Sequence, residues 1–323
     1  MKASDGTPPS LLVRLRRQVR QSSAGSWRLA KSLRRPAFRA TICTLLLPSL
    51  CLPLSTYANP SGGQVVAGAA TISGSGSSLT ITQGSHRAII NWQDFSIGAG
   101  QTTSFVQPSA DSAALNRVLG GNPSAIHGQL NATGQVYLIN PNGVLVGPGG
   151  VVNTAGFLAS TLDVSDQDFL RGGDMTFKGA SNAAVINLGS ITAAEGDVIL
   201  IARQVENHGD IDAPRGTVGL GAGSEVLLKA GGEERMFVRP DSGSSDASVN
   251  QAGKIRAATV ELKAAGGNEY SLAIKHSGET RATGVSKRGG RVYLSAGGKG
   301  GIVNTGRITA RKSSGRGGIV RVE

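Results

Sequence analysis

The sequence predicts an all-β protein: a single-stranded parallel β-helix (β-solenoid) with an N-terminal β cap, wound right-handed as parallel crossovers overwhelmingly are. Three observations predict it. The 323 residues include 47 Gly, with only 4% aromatic and 17% charged residues. That composition suits many tight turns and not the Gly-poor, charge-rich segments of a helical bundle. A motif also recurs at a spacing of twenty residues, and apolar residues alternate within each copy, the two-residue period of a strand with one buried face.

Residues 1–58 read as a secretory signal with a long basic leading region. Ten of the 33 Lys and Arg residues and one of the 21 acids lie in residues 1–40, leaving 23 basic and 20 acidic residues beyond. The formal net charge of +12 is therefore largely the leader's, and nucleic acid is not an expected partner. An uncharged stretch runs from Ala40 to Leu54, and Thr56-Tyr57-Ala58 sets small residues for cleavage between Ala58 and Asn59. Pro48 and Pro53 interrupt a stretch already too short for a permanent span, so membrane passage is read as transient. Arg34-Arg35 with Phe38 only loosely resembles a twin-arginine signal, and Cys51 follows Leu50 where a lipoprotein signal wants a small residue. Both cysteines, Cys43 and Cys51, fall inside the signal. A thiol-free exported part fits a chain threaded unfolded through a second membrane, and equally fits simple rarity of Cys.

The exported part, residues 59–323, opens with a candidate cap. A stack of strands has open ends that template further pairing unless covered. The segment Gln64–Gly84, with Val65, Val66, Ala67, Thr71, Ile72, Leu79 and Ile81, is placed to cover one of them.

The repeat is clearest where Gly189, Ile191, Ala193, Gly196, Val198 and Leu200 are followed by Gly209, Ile211, Ala213, Gly216, Val218 and Leu220. It recurs with slips around Gly128–Leu138, Gly253–Leu262 and Asn304–Ala310. Each strand is too short to bury its apolar face alone, but coiling stacks Ile on Ile and Val on Val into a continuous core. Asn187 and Asn207, two positions ahead of the leading Gly, are expected to form an amide ladder, and Gly to supply positive φ at the corners. Twenty residues per turn at about 4.8 Å predicts a rod ~60 Å long. Gly219-Leu220-Gly221-Ala222-Gly223 lacks the helix and Lys of a phosphate loop and reads as a corner. A propeller would need periods near 40 residues with aromatic signatures. A sandwich would not keep Asn and Gly in phase. The sequence stops at Glu323 in mid-pattern, so it is expected to be a fragment of something longer.

The stretch 90–163 carries further motifs. They are Asn91-Trp92 with Phe95 and Ile97-Gly98; Phe105 with Gln107-Pro108; Ala114-Leu115-Asn116-Arg117-Val118; Gly121-Asn122-Pro123-Ser124; Leu138-Ile139-Asn140-Pro141-Asn142-Gly143-Val144; and Ala159-Ser160-Thr161-Leu162-Asp163. In this order they resemble the two-partner secretion (TPS) domain of the filamentous haemagglutinin and high-molecular-weight adhesin family, and Gly62–Gly68 looks like that family's mature start. The resemblance is densest over residues 62–175, with the solenoid repeats over 176–323. It implies a right-handed β-helix and Sec export through the periplasm. It also implies passage through a partner TpsB-type (Omp85-type) β-barrel transporter in the outer membrane of a Gram-negative bacterium, to the cell surface or medium. The whole protein would then be an adhesin that meets a host or cell-surface receptor, without cofactor or metal. Family members need the Asn-Pro-Asn-Gly segment for secretion, which carries over to Asn140, Pro141, Asn142 and Gly143. Trp92, Asn116, Arg117, Asn122 and Pro123 carry over as family-motif residues. Read from the residues alone, Pro at the second and Gly at the fourth position make a strong turn, and a role in folding only stays open. The Asn-Pro-Asn-Leu motif of other branches is absent, and the long basic leader departs from the family's usual signal.

Other sites weigh less. A β-helix polysaccharide lyase or hydrolase would line up carboxylates over successive turns. Here Asp197 aligns with Thr217, and Asp210 and Asp212 with Ser190 and Thr192. His86, His127, His208 and His276 have no metal-ligand spacing. Asn131-Ala132-Thr133 is a glycosylation sequon, and Trp92 and Phe95 read as core packing. The delivery stalk of a contact-dependent toxin is the remaining alternative.

Overall fold

The computed structural model describes residues 59–239, 246–266, 272–285, 289–297 and 300–323. The expected signal and Ala58, on the leading side of the expected cut, lie outside them. Three strands per turn wind into three parallel stacks. The first face runs from Ser78–Gln83 through Thr102–Val106, Gln129–Ala132, Val151–Thr154 and Ser190–Ala193. It continues through the leading parts of Asp210–Ala222 and Lys254–Ala264 to Glu279–Thr283 and Arg307–Arg311. The second face stacks Arg87–Trp92, Ala113–Val118, Gln135–Ile139, Gly156–Ser160 and Val198–Ala202. The trailing parts of the two long strands follow, then Arg291–Ser295 and Ile319–Val322. The third face stacks Ser124–Ile126, Val144–Val146, Ala184–Asn187, Gln204–Asn207, Ser248–Gln251, Leu272–His276 and Gly301–Asn304.

The stacked core is the expected one. Ile191 lies opposite Ile211, which lies opposite Ile255, and Val198, Val218 and Val260 form the neighbouring column. All are buried in one continuous apolar cluster, each side chain contributing about 1.5–3 kcal/mol. The cap is an antiparallel pair of elements. Gln64–Ala67 pairs with Arg87–Trp92, and Ala70–Ser75 makes a hairpin with Ser78–Gln83. Val65 and Ile72 pack against the core, so the first rung is covered.

Three expectations are corrected. The rod is shorter, because nine stacked strands on the second face span only about 40 Å; turns lengthened by insertions use residues without adding height. The leading glycines of the repeat do not have positive φ. They are there for room. A Cβ on Gly209 would stand 2.1 Å from the Gly189 carbonyl oxygen, and on Gly253, Gly278 and Gly306 within 2.0–2.2 Å of the carbonyl one rung back. Finally, Gly219–Gly223 is not a corner. Gly219 and Gly221 lie within a strand, where a Cβ on Gly221 would meet Met236 Sδ at 2.5 Å.

Met236 belongs to an excursion that periodicity did not reveal. Met175–Lys178, Glu225–Leu228 and Met236–Val238 form an antiparallel sheet. A short helix, Asp166–Arg171, precedes it, capped by Ser165 accepting from the Asp168 N–H. Phe169, Phe177, Val226 and Met236 bury the outward side of the second face with Ile89, Leu115, Ile139, Ile199 and Ile201. That accounts for the unbroken apolar run Val198–Ala202, since a sheet covered on both sides needs no alternation.

Candidate functional site

The sequence-predicted secretion residues gather at the corner between the second and third faces. The Asn140–Gly143 turn is closed by the Gly143 N–H donating to the Asn140 carbonyl at 3.0 Å, with Gly143 at φ +114°. Asn140 is buried and ties three pieces together. Its Oδ1 accepts from the Asn142 N–H at 2.9 Å, while its Nδ2 donates to the Asn122 carbonyl at 2.9 Å and to Ser124 Oγ at 3.0 Å. Pro141 and Asn142 are exposed. The Asn142 amide still reaches the rung below, donating to the Gly120 carbonyl at 2.9 Å. Above the turn, Ser181 Oγ donates to the Pro141 carbonyl at 2.6 Å.

Asn122 and Pro123 therefore form the lower step of this corner, and both are exposed. Leu119 completes it as a large apolar side chain left 62% exposed. No sequence signal singled it out, because an apolar residue ending a strand looks like core.

The other family-motif residues are structural and lie elsewhere. Asn116 points inward between Ile90 and Leu138 and is fully buried. It is tolerated there because Trp92, also buried, donates its indole N–H to Asn116 Oδ1 at 2.9 Å, and Asn116 Nδ2 donates to the Ala114 and Tyr137 carbonyls. Trp92 meets Phe95 edge to face at 5.6 Å, the core packing expected of both. Arg117, on the outward side of the same strand, donates to Asp163, Asp166 and the Val164 carbonyl, fastening the start of the helix. Burial opposes its charge, but Asp163 and Asp166 outweigh this and hold its pKa above the ordinary arginine value. Asn59, the first residue past the expected cut, accepts from Thr103 Oγ1 at 3.1 Å and donates to the Gly76 carbonyl at 3.0 Å.

The corner between the third and first faces holds the amide ladder. Asn187 donates to Asn207 and Asn207 to Gln251, each at 2.7 Å. One rung on, His276 takes the same position, and its Nδ1 meets Asn304 Oδ1 at 2.8 Å. Gln251 and His276 were missed as members, although each precedes a Gly by two residues as Asn187 does. Burial holds the His276 pKa below its ordinary value, with the Asn304 contact partly opposing.

Comparison with known proteins places these features. Residues 56–309 match the family model described as the TPS secretion domain. A heme/hemopexin-binding protein of Haemophilus influenzae strain Rd is 36% identical over 256 residues, covering 75% of this chain and 28% of the relative. A second heme/hemopexin-binding protein of H. influenzae is 33% identical over 246 residues, covering 68% and 26%. The chain thus spans little more than a quarter of these relatives. The solved HMW1 secretion domain from H. influenzae aligns with a TM-score of 0.64 at 30% identity, over 82% of this chain and 70% of that one. A filamentous hemagglutinin secretion domain aligns at 0.54 over 82% of this chain and all of that one; at 14% identity the likeness concerns fold alone.

Proposed function

The chain belongs to the TPS secretion domain family, and from that premise we propose that its described part directs export of a surface-bound or secreted protein across the outer membrane of a Gram-negative bacterium. The partner is a TpsB-type β-barrel transporter reached through Sec and the periplasm. The observation that carries this reading is the extent of the family match, which runs from just before the cap to the Arg307–Arg311 strand. The match therefore takes in most of the residues from the cap onward.

The fold supplies a physical route. A cap that covers the first rung gives every later rung a template, and each rung that docks buries fresh Ile, Val and Leu. Folding on the far side of the membrane would then oppose backsliding without ATP. The exposed Leu119, Asn122, Pro123, Pro141 and Asn142 offer the transporter a corner that forms from contacts no more than about one turn apart. The relatives named for binding heme or hemopexin favour a surface binding protein over a lyase. The whole protein would bind a host or cell-surface component.

The test is co-expression with a candidate barrel. The protein is expected in the medium or at the surface only when the barrel is present, with a mature N-terminus of Asn59-Pro60-Ser61-Gly62-Gly63. Export without any barrel, or a start before residue 50, overturns the reading.

A further inference from the structure

Asn142-Gly143 is the single Asn-Gly pair in the sequence; every other asparagine precedes a residue with a side chain. That pair has a chemistry of its own. Glycine has no Cβ to shield its backbone nitrogen or restrict its dihedrals. In a mobile chain the nitrogen can therefore reach the side-chain carbonyl carbon of the asparagine before it. A bond forms between Gly143 N and Asn142 Cγ, the Cγ–Nδ2 bond breaks, and ammonia leaves carrying the proton that the Gly143 nitrogen gave up. Water then opens the cyclic imide at either carbonyl, leaving aspartate or isoaspartate with no oxidant or reductant consumed.

In the folded corner neither reacting group is free, although Asn142 is exposed to water. The Gly143 N–H donates to the Asn140 carbonyl at 3.0 Å, so the attacking nitrogen holds its proton in a bond. Asn142 Nδ2 donates to the Gly120 carbonyl at 2.9 Å and lies 3.2 Å from Asn140 Oδ1, which ties the side chain to the preceding rung. Gly143 is also hemmed in: a Cβ there would stand 3.2 Å from the Ala184 carbonyl oxygen and 3.8 Å from Pro123 Cβ. We infer that Asn142 is a folding-gated modification site: the unfolded chain loses its side-chain amide to attack by the Gly143 nitrogen, and closing the corner shuts that reaction off. Protection comes from the bonds of the turn, so the folded-state rate follows the population of the opened turn. The consequence for export rests on the proposed reading of the corner. A chain held unfolded before the transporter loses the amide that the corner presents, and an isoaspartate, which leads the main chain through the side chain, lengthens the turn.

The test is peptide mapping by mass spectrometry of the purified protein after incubation at mildly alkaline pH, in buffer and in guanidinium chloride. In guanidinium chloride the peptide bearing Asn142 is expected to gain the mass that separates aspartate from asparagine before any other asparagine does, with aspartate and isoaspartate resolved by chromatography. In buffer the same change should be at least about tenfold slower, as for a reaction that waits on local opening. Gly143→Ala should abolish most of it in guanidinium chloride, where the strain of a side chain at φ +114° no longer acts. Ser181→Ala, which unties the Pro141 carbonyl from the segment above it, should speed the change in buffer severalfold and leave the denatured rate alone. Equal rates in buffer and guanidinium chloride, a denatured chain that reacts elsewhere first, or a Ser181→Ala chain no faster than the parent in buffer overturns the inference. The map involves no barrel, so its failure leaves the export reading standing, and failure of the barrel co-expression leaves the outcome of the map untouched.

Discussion

The two Asn-bearing corners of this solenoid use the same side chain for different ends. At the third-to-first corner Asn187, Asn207, Gln251, His276 and Asn304 stand one above another; Asn187 bonds to Asn207, Asn207 to Gln251 and His276 to Asn304 side chain to side chain, while Gln251 and His276 meet only in register. The first four are buried, and the position asks only for a group that both donates and accepts, which is why Gln and His serve in place of Asn. At the second-to-third corner Asn140 and Asn142 bond mainly to backbone carbonyls of one particular neighbouring loop, and the turn does not recur. One of the two, Asn142, faces solvent. A repeating contact holds the stack; a singular, half-exposed one is available to be read by a partner.

The same substitution at both corners separates these roles most sharply. Asn207→Asp leaves the bond received from Asn187 but removes the donor to Gln251 Oε1. Turning the Gln251 amide to compensate would surrender its bond to the Gly253 carbonyl. A carboxylate would also be buried there without a cation. The expected cost is about 3 kcal/mol or more, read as a large fall in melting temperature. An unchanged melt would show that the ladder does not hold the stack.

A smaller effect follows from His276 and isolates the ladder's last rungs. Its Nε2 contacts Thr280 Oγ1 at 2.8 Å and its Nδ1 contacts Asn304 Oδ1, which also accepts the Gly306 N–H. The neutral ring therefore carries its proton on Nδ1. Because burial lowers the folded-state pKa, the unfolded chain binds the proton more readily. Stability is full above the unfolded value of about 6.5 and declines as pH falls through it towards the folded-state value. His276→Gln, which copies Gln251, should flatten the difference in melting temperature between pH 7.5 and pH 5.5. An identical slope in the two proteins would remove His276 from the account.

How much of this could be read in advance depends on what the chain repeats. The columns of Ile191, Ile211, Val198 and Val218 were legible because burying one face of a short strand forces alternation, and stacking forces the spacing. The turn at Asn140 was legible because Pro and Gly dictate local dihedrals. The excursion was not. It packs on the outside of the second face through Phe169, Phe177 and Met236, which are far apart in sequence and follow no period. Its trace was the solid run Val198–Ala202 and the two outward glycines, Gly219 and Gly221, which make room for Met236.

The smallest expected change in stability tests the exposed corner itself. Asn142→Asp keeps the turn, since the bonds closing it come from the backbone N–H groups of residues 142 and 143 to Asn140. It loses the side-chain amide donor to the Gly120 carbonyl and sets a carboxylate oxygen near Asn140 Oδ1, now 3.2 Å from the amide nitrogen. For a solvent-exposed group this costs about 1 kcal/mol, roughly one hydrogen bond. The purified variant is therefore expected to melt close to the parent and far above Asn207→Asp. If the corner is recognised by the transporter, secretion of Asn142→Asp in cells carrying the cognate barrel falls much more than its stability does, because the exposed amide is also the group presented to a partner. Parallel losses of melting temperature and secretion would reduce the turn to a folding element. Unchanged secretion would remove Asn142 from the recognition surface and leave Leu119, Asn122 and Pro123 as the residues to test at that corner.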